Sequence, residues 1–159
     1  MKNRTETPFV LPPINQTGII VRDAEKISRH YSSTFGIGPF TTHDMDLARA
    51  TLNGEPAPTK LRMVIAQMGP MEIELIQVLD GGDFYTGFLK QHGEGLHHLG
   101  SYVDDPDSYD NILAELSEQG IKPTFQYRGR SLRFSYLDTR ANGGVILELI
   151  CLARQDQGS

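Results

Sequence analysis

Two short segments, 14–21 and 96–103, alternate apolar and polar residues in the manner of strands. Each runs into an aspartate, Asp23 or Asp105, and then into a stretch with helical periodicity. The pattern predicts helices over about 24–35 and 106–119, each stopped by a glycine, Gly36 or Gly120. Asp23 and Asp105 are expected N-caps, because a carboxylate accepts from the free amides of a first turn. Pro106 suits the first helical position, where no amide hydrogen is needed. Three strand-like runs follow each helix, at about 40–50, 60–68 and 71–79 and at about 122–128, 131–138 and 144–152. The stretch 79–95, LDGGDFYTGFLKQHGEG, reads as the connection between the two halves.

The halves are one module written twice. Gln16, Gly18, Val21 and Asp23 fall on His98, Gly100, Val103 and Asp105 at a constant offset of 82. The offset is 84 at Gly36 and Gly120, as a small insertion in the second helix requires. Further on, EIELIQ (72–77) matches ILELIC (146–151) and sets Glu74 over Glu148 at an offset of 74. The expected fold is α+β: two tandem βαβββ modules, about 14–79 and 96–152, forming a curved mixed sheet around a cleft. Residues 1–13 read as an extended arm, with Pro8, Phe9, Pro12 and Pro13 placed to reach a partner, and 153–159 as a polar tail.

The repeat also selects residues. Side chains alternate along a strand, so only one of the adjacent His97 and His98 can face a given site. His98 stands where the first module has Gln16, which makes it the residue that looks into the cleft. His97 is expected to face away and to pack between sheet and helix. Glu74 and Glu148 lie mid-strand within apolar runs, a costly place for a carboxylate without a partner or a metal. An amide, an imidazole and two carboxylates at repeat-related positions suit one divalent ion such as Zn²⁺, Mn²⁺, Co²⁺ or Ni²⁺. His30, His43 and His92 have no repeat partner and read as surface or structural residues.

Composition narrows the rest. The 159 residues are 38% hydrophobic and 22% charged, with a net charge of −5 that argues against a nucleic-acid partner. No apolar run reaches the length of a membrane span, and no signal peptide opens the chain. The single cysteine, Cys151, leaves no internal disulfide and agrees with a reducing, cytoplasmic setting.

QTGIIVRD, GIGPF, IELIQ, GEGLHHLGSYVDD and GGVILELI together resemble the vicinal-oxygen-chelate (glyoxalase/bleomycin-resistance) superfamily. GEGLHHLGSYVDD and the NGGVILELI ending resemble most the methylmalonyl-CoA epimerases within it. That resemblance implies metal ligands at Gln16, Glu74, His98 and Glu148, the same four that the repeat selects. Two features depart from the epimerases. The first ligand sits in NQTG where they carry a histidine, and the set Gln, Glu, His, Glu matches glyoxalase I, the lactoylglutathione lyase of the eukaryotic type. In addition, KLRMVIAQ offers Arg62 and no acid where an epimerase base is sought, which weakens two-base epimerisation.

The resemblance implies a metal-dependent isomerase or epimerase that removes a proton alpha to a carbonyl. Glu148 is the first candidate for ligand and base, with Glu74 second. The alternatives are a glyoxalase-I-type lyase and a small-molecule-binding protein on the same fold. An iron-dependent dioxygenase fits less well, because Gln16 breaks its ligand triad. Arg128, Arg130, Arg133 and Arg140 form a basic run and, with Arg62, are candidates to hold an acidic substrate such as an acyl-CoA or a thiol adduct. The alternative for the run is a solvated outer strand face. By analogy the chain is expected to form a homodimer.

Overall fold

A computed structural model of the chain describes residues 9–152. Its strands are β1 (Ile14–Ile20), β2 (Phe40–Leu47), β3 (Thr51–Leu52), β4 (Glu55–Pro56), β5 (Thr59–Met68), β6 (Met71–Gly81), β7 (Gly95–Val103), β8 (Pro123–Arg128), β9 (Leu132–Asp138) and β10 (Ile146–Leu152). The helices are α1 (Ala24–Phe35), α2 (Asp83–His92) and α3 (Pro106–Glu118), with one 3₁₀ turn at Arg140–Asn142. The fold is α+β, a curled half-barrel sheet in the order β2-β5-β6-β1-β7-β10-β9-β8-β3-β4. No helix among the described residues is long and apolar enough to cross a membrane.

The two modules meet along β1 and β7, which pair antiparallel, while β6 and β10 flank them in parallel. The registers repeat as the sequence does: Gln16 pairs with Glu72 as His98 pairs with Ile146, and Gly18 with Glu74 as Gly100 with Glu148. Asp23 accepts from the amide of Lys26 and Asp105 from that of Ser108, so both expected N-caps form. Gly36 closes α1 in the left-handed region, at φ 68°.

Two elements lie outside the expected pattern. Residues Asn53 and Gly54, both at positive φ, turn β3 into β4, and this hairpin of the first module pairs with β8 of the second. Thr51, near one edge of the sheet, is only four positions along the chain from Leu47 on the other edge strand. A chain extends at most about 3.6 Å per residue, so the edges must curl to within about 14 Å of each other. The second addition is α2, inside the stretch that reads as a plain connection. Its Phe84 and Tyr85 pack on Phe125 and Tyr136 and close one end of the curl.

Alternation sorts the sheet into two faces. On the convex face, α1 covers Val21, Val64 and Leu75, and α3 covers Val103, Leu137, Leu149 and the buried thiol Cys151. The described part of the arm, residues 9–13, lies on its own domain. Phe9 and Leu11 join the α3 cluster, and the Ser101 hydroxyl donates to the Pro12 carbonyl at 2.7 Å; Pro8 lies outside the described residues. The concave face holds Ile20, Leu61, Ile76, Phe134 and Ile150, together with the polar groups described next.

Candidate metal centre

β1, β6, β7 and β10 are adjacent in the sheet, and their inward positions bring Gln16, Glu74, His98 and Glu148 to one point. All four side chains are buried. Around His98 Nε2 lie Glu148 Oε2 at 2.8 Å, Gln16 Oε1 at 3.2 Å and Glu74 Oε2 at 3.6 Å. Glu148 Oε2 is that close to the imidazole, yet the approach lacks hydrogen-bond geometry and the oxygen has no hydrogen-bond partner. At this separation but without that alignment, no hydrogen lies between the two atoms.

These donors fit a divalent cation. Bonds of about 2.0–2.2 Å to one ion place neighbouring donors roughly 3–3.5 Å apart, the range that the distances from Nε2 span. Ligating atoms of Glu74, His98 and Glu148 all lie within 4.8 Å of one another. Burial, reinforced by the charges of Glu148 and Glu72, holds the Glu74 carboxyl well above the usual carboxylate range. A cation placed among these acids removes that penalty.

Two neighbours orient the donors: Glu72, which nothing in the sequence singles out, and His97. Glu72, two residues before Glu74 and so on the same face, accepts from Gln16 Nε2 at 2.8 Å and from the Tyr102 hydroxyl at 2.7 Å. The amide nitrogen of Gln16 is thereby turned away, and its oxygen faces the centre. His97 Nδ1 lies 3.0 Å from His98 Nδ1. With Nε2 as a metal ligand, His98 would carry its proton on Nδ1 and donate it in a hydrogen bond to His97 Nδ1. His97 itself stays neutral, since burial first and the adjacent His98 second push its pKa down to about 2.

The position of His97 follows from a bulge. β7 pairs Leu96 with Ile19 and His98 with Gly18, which leaves His97 as an extra residue. The second shift in this ladder skips Asn15, the repeat partner of His97, so each module carries a bulge one residue before its ligand. The ring of His97 packs against Phe84 and Phe88 of α2, as expected of a residue between sheet and helix.

Beside the quartet opens a cavity of about 430 Å³, lined by Thr41, His43, Leu61, Met63, Ile65, Glu72, Tyr102, Leu132, Phe134 and Leu152 among others. His43, which reads as a surface residue in the sequence, is exposed but forms part of this wall. The arginines considered for an acidic substrate are not part of it. Arg62 pairs with Asp44 at 2.8 Å and reaches Glu25 of α1. Arg128 and Arg133 pair with Asp110 of α3 at 2.8 and 3.3 Å, Arg130 stands exposed in a turn, and Arg140 pairs with Asp138. The reason is alternation: Leu61 and Met63 face inward, so Arg62 faces the helix, and Leu132 and Phe134 do the same to Arg133.

The sequence matches the glyoxalase/bleomycin resistance protein/dioxygenase superfamily over residues 15–136, a span that includes Gln16, Glu74 and His98. The chain belongs to this superfamily. Solved structures of similar fold include a hypothetical protein from Bacillus halodurans, 19% identical with a TM-score of 0.69 over 92% of this chain and 98% of that one. Methylmalonyl-CoA epimerase from Mycobacterium tuberculosis is 20% identical, with a TM-score of 0.67 and 95% of each chain covered. A Streptomyces coelicolor methylmalonyl-CoA epimerase in complex with 2-nitronate-propionyl-CoA is 21% identical, with a TM-score of 0.66 over 91% of this chain and all of that one. No curated protein matches the sequence. At these identities the likeness establishes the superfamily fold and leaves the reaction to be argued from the site.

Proposed function

We propose that this protein is a divalent-metal-dependent isomerase or epimerase that removes a proton alpha to a carbonyl. The observation that carries the reading is the ring of Gln16 Oε1, Glu74 Oε2 and Glu148 Oε2 around His98 Nε2. These four residues would hold one ion of Zn, Co, Mn or Ni, whose chemistry is to polarise a substrate's two adjacent oxygens and stabilise enolate charge.

The chain's own groups handle the proton. Glu148 is the first candidate base, because it lines the cavity and its buried Oε2 has no hydrogen-bond partner. It accepts the alpha proton and returns it to the same carbon or to the neighbouring one. Glu74, on the opposite module, is the second candidate. Tyr85 and Tyr136 bond to each other at 3.1 Å, and burial raises both phenols, so they stay protonated. With Phe134 and Leu61 they keep bulk water from the reacting carbon. The acyl-CoA ligand of the epimerase relative makes acyl thioesters the first class to test.

Elemental analysis tests the metal, with about one divalent ion per chain expected in wild type and none in His98→Ala. Proton–deuterium exchange at the alpha carbon of candidate thioesters, followed by NMR, tests the chemistry. Loss of a general base costs about 10²–10⁴ in rate, the drop expected for Glu148→Gln. Wild-type exchange in that variant would remove Glu148 from the role.

A further inference from the structure

The cavity wall divides sharply by chemistry. β5 and β9, equivalent strands of the two modules, supply Leu61, Met63, Ile65, Leu132 and Phe134. The acids of its lining are Glu72, Glu74 and Glu148, gathered at the candidate metal centre, and His43 is the one histidine among the described residues that line it. None of the described residues lining the cavity is lysine or arginine. The basic side chains of the same strands, Lys60, Arg62 and Arg133, lie on the other face, where acids of α1, β2 and α3 take them up.

Charge then restricts what can enter. A dication would be balanced by Glu74 and Glu148. A ligand that brought its own carboxylate to the ion would add an uncompensated charge, since the wall is mainly apolar and holds no lysine or arginine among the described residues. We propose that the part of the substrate occupying this cavity is uncharged and mainly apolar, with its two adjacent oxygens drawn from neutral groups such as the hydroxyl and carbonyl of an α-hydroxy carbonyl. This rests on the metal-dependent reading above and narrows it. A charged carrier such as CoA stays outside the wall, and a free carboxylate at the reacting carbon is selected against.

The test uses the full chain loaded with Co²⁺ and follows the visible cobalt bands, a binding signal independent of turnover. Mandelamide and mandelate share a ring, a hydroxyl and a carbonyl and differ by one charge. A single buried charge contact is worth about tenfold or more in affinity, so mandelamide should bind at least that much tighter than mandelate. Methylmalonyl-CoA should leave the bands unchanged. Leu152→Arg sets a cation on the cavity wall at a position already 55% exposed and should narrow the gap between the two mandelyl probes. Tighter binding of mandelate or methylmalonyl-CoA, or cobalt bound with no response to mandelamide, would overturn the inference while leaving the metal centre in place. A chain that takes up no cobalt would overturn the metal-dependent reading itself, and this inference with it.

Discussion

The imidazole of His98 occupies the space that a side chain at Gly18 would need. A Cβ built on Gly18 would meet ring atoms of His98 more closely than any real Cβ approaches its neighbours. Its repeat partner behaves alike, since a Cβ on Gly100 would lie 2.6 Å from Gln16 Oε1. Each module thus leaves a gap for the ligand of the other, and the cross-pairs Gly18–His98 and Gln16–Gly100 are the ladder positions that join β1 to β7. Neither glycine has a left-handed backbone. Close approach, not conformation, is what demands glycine here.

Gly18→Ala should therefore act on the centre and on stability together. Forcing a methyl group into a packed interior costs about 1–3 kcal/mol, which at this chain length lowers Tm by roughly 2–4 °C per kcal/mol. The displaced ring should also release the ion. Gly100→Ala should weaken metal binding less, because the far end of the flexible Gln16 side chain can yield. Thermal unfolding and metal titration of both variants check this, and an unaltered metal affinity in Gly18→Ala would refute the steric account.

His97→Ala should weaken metal binding by about 10–100-fold, the usual effect of removing a group that orients a ligand. His97 is thus a participant and cannot serve as an inert control for His98. His97→Asn, whose amide oxygen can take over the Nδ1 contact, should recover part of the affinity, whereas His97→Phe fills the space beside Phe84 and Phe88 without accepting the proton. A structural role alone would order these variants by stability. The proton-acceptor role orders them by metal affinity, and equal affinity in the Asn and Phe variants would exclude it.

The repeat made much of this legible in the sequence. Gln16, Glu74, His98 and Glu148 stand at repeat-related positions, and symmetry brings such positions together whatever the loops do. The N-caps at Asp23 and Asp105 are local chemistry and equally readable. The rest is not legible, for physical reasons. In α2 the signal was hidden, since Phe84, Tyr85, Phe88 and Leu89 have helical spacing but Gly81, Gly82, Gly87 and Gly93 punctuate the stretch like a loop. Glu72 and Tyr102 are not legible because they lie 30 residues from each other and 56 and 86 from Gln16, and because their repeat equivalents, Ile146 and Ile20, are apolar. A search for acids two residues before a buried acid would have raised Glu72, since strand period places both on one face. The bulge at His97 leaves no mark in composition at all.

Removing the metal should leave a molecule under electrostatic strain, and Glu74 gives that strain a pH dependence. Its carboxyl is raised above the unfolded value by burial, then by Glu148 and Glu72, so the folded state binds its proton more tightly than the unfolded chain does. Such a group contributes fully to stability below the unfolded pKa of about 4.5, and the contribution is lost as pH rises through the folded value. At neutral pH, with a chelator present, Glu74→Gln should unfold at a higher temperature than wild type, because the amide carries no charge into the cluster. The advantage should shrink as the pH falls toward 4.5, because there the carboxyl is protonated in the unfolded chain as well as in the folded one. Saturating metal should reverse the order at pH 7, since the ion then favours the charged ligand. Denaturation curves at pH 5 and 7, with and without metal, separate the three cases. A metal-free Glu74→Gln variant less stable than wild type at pH 7 would mean that the cluster is neutralised by something other than a cation.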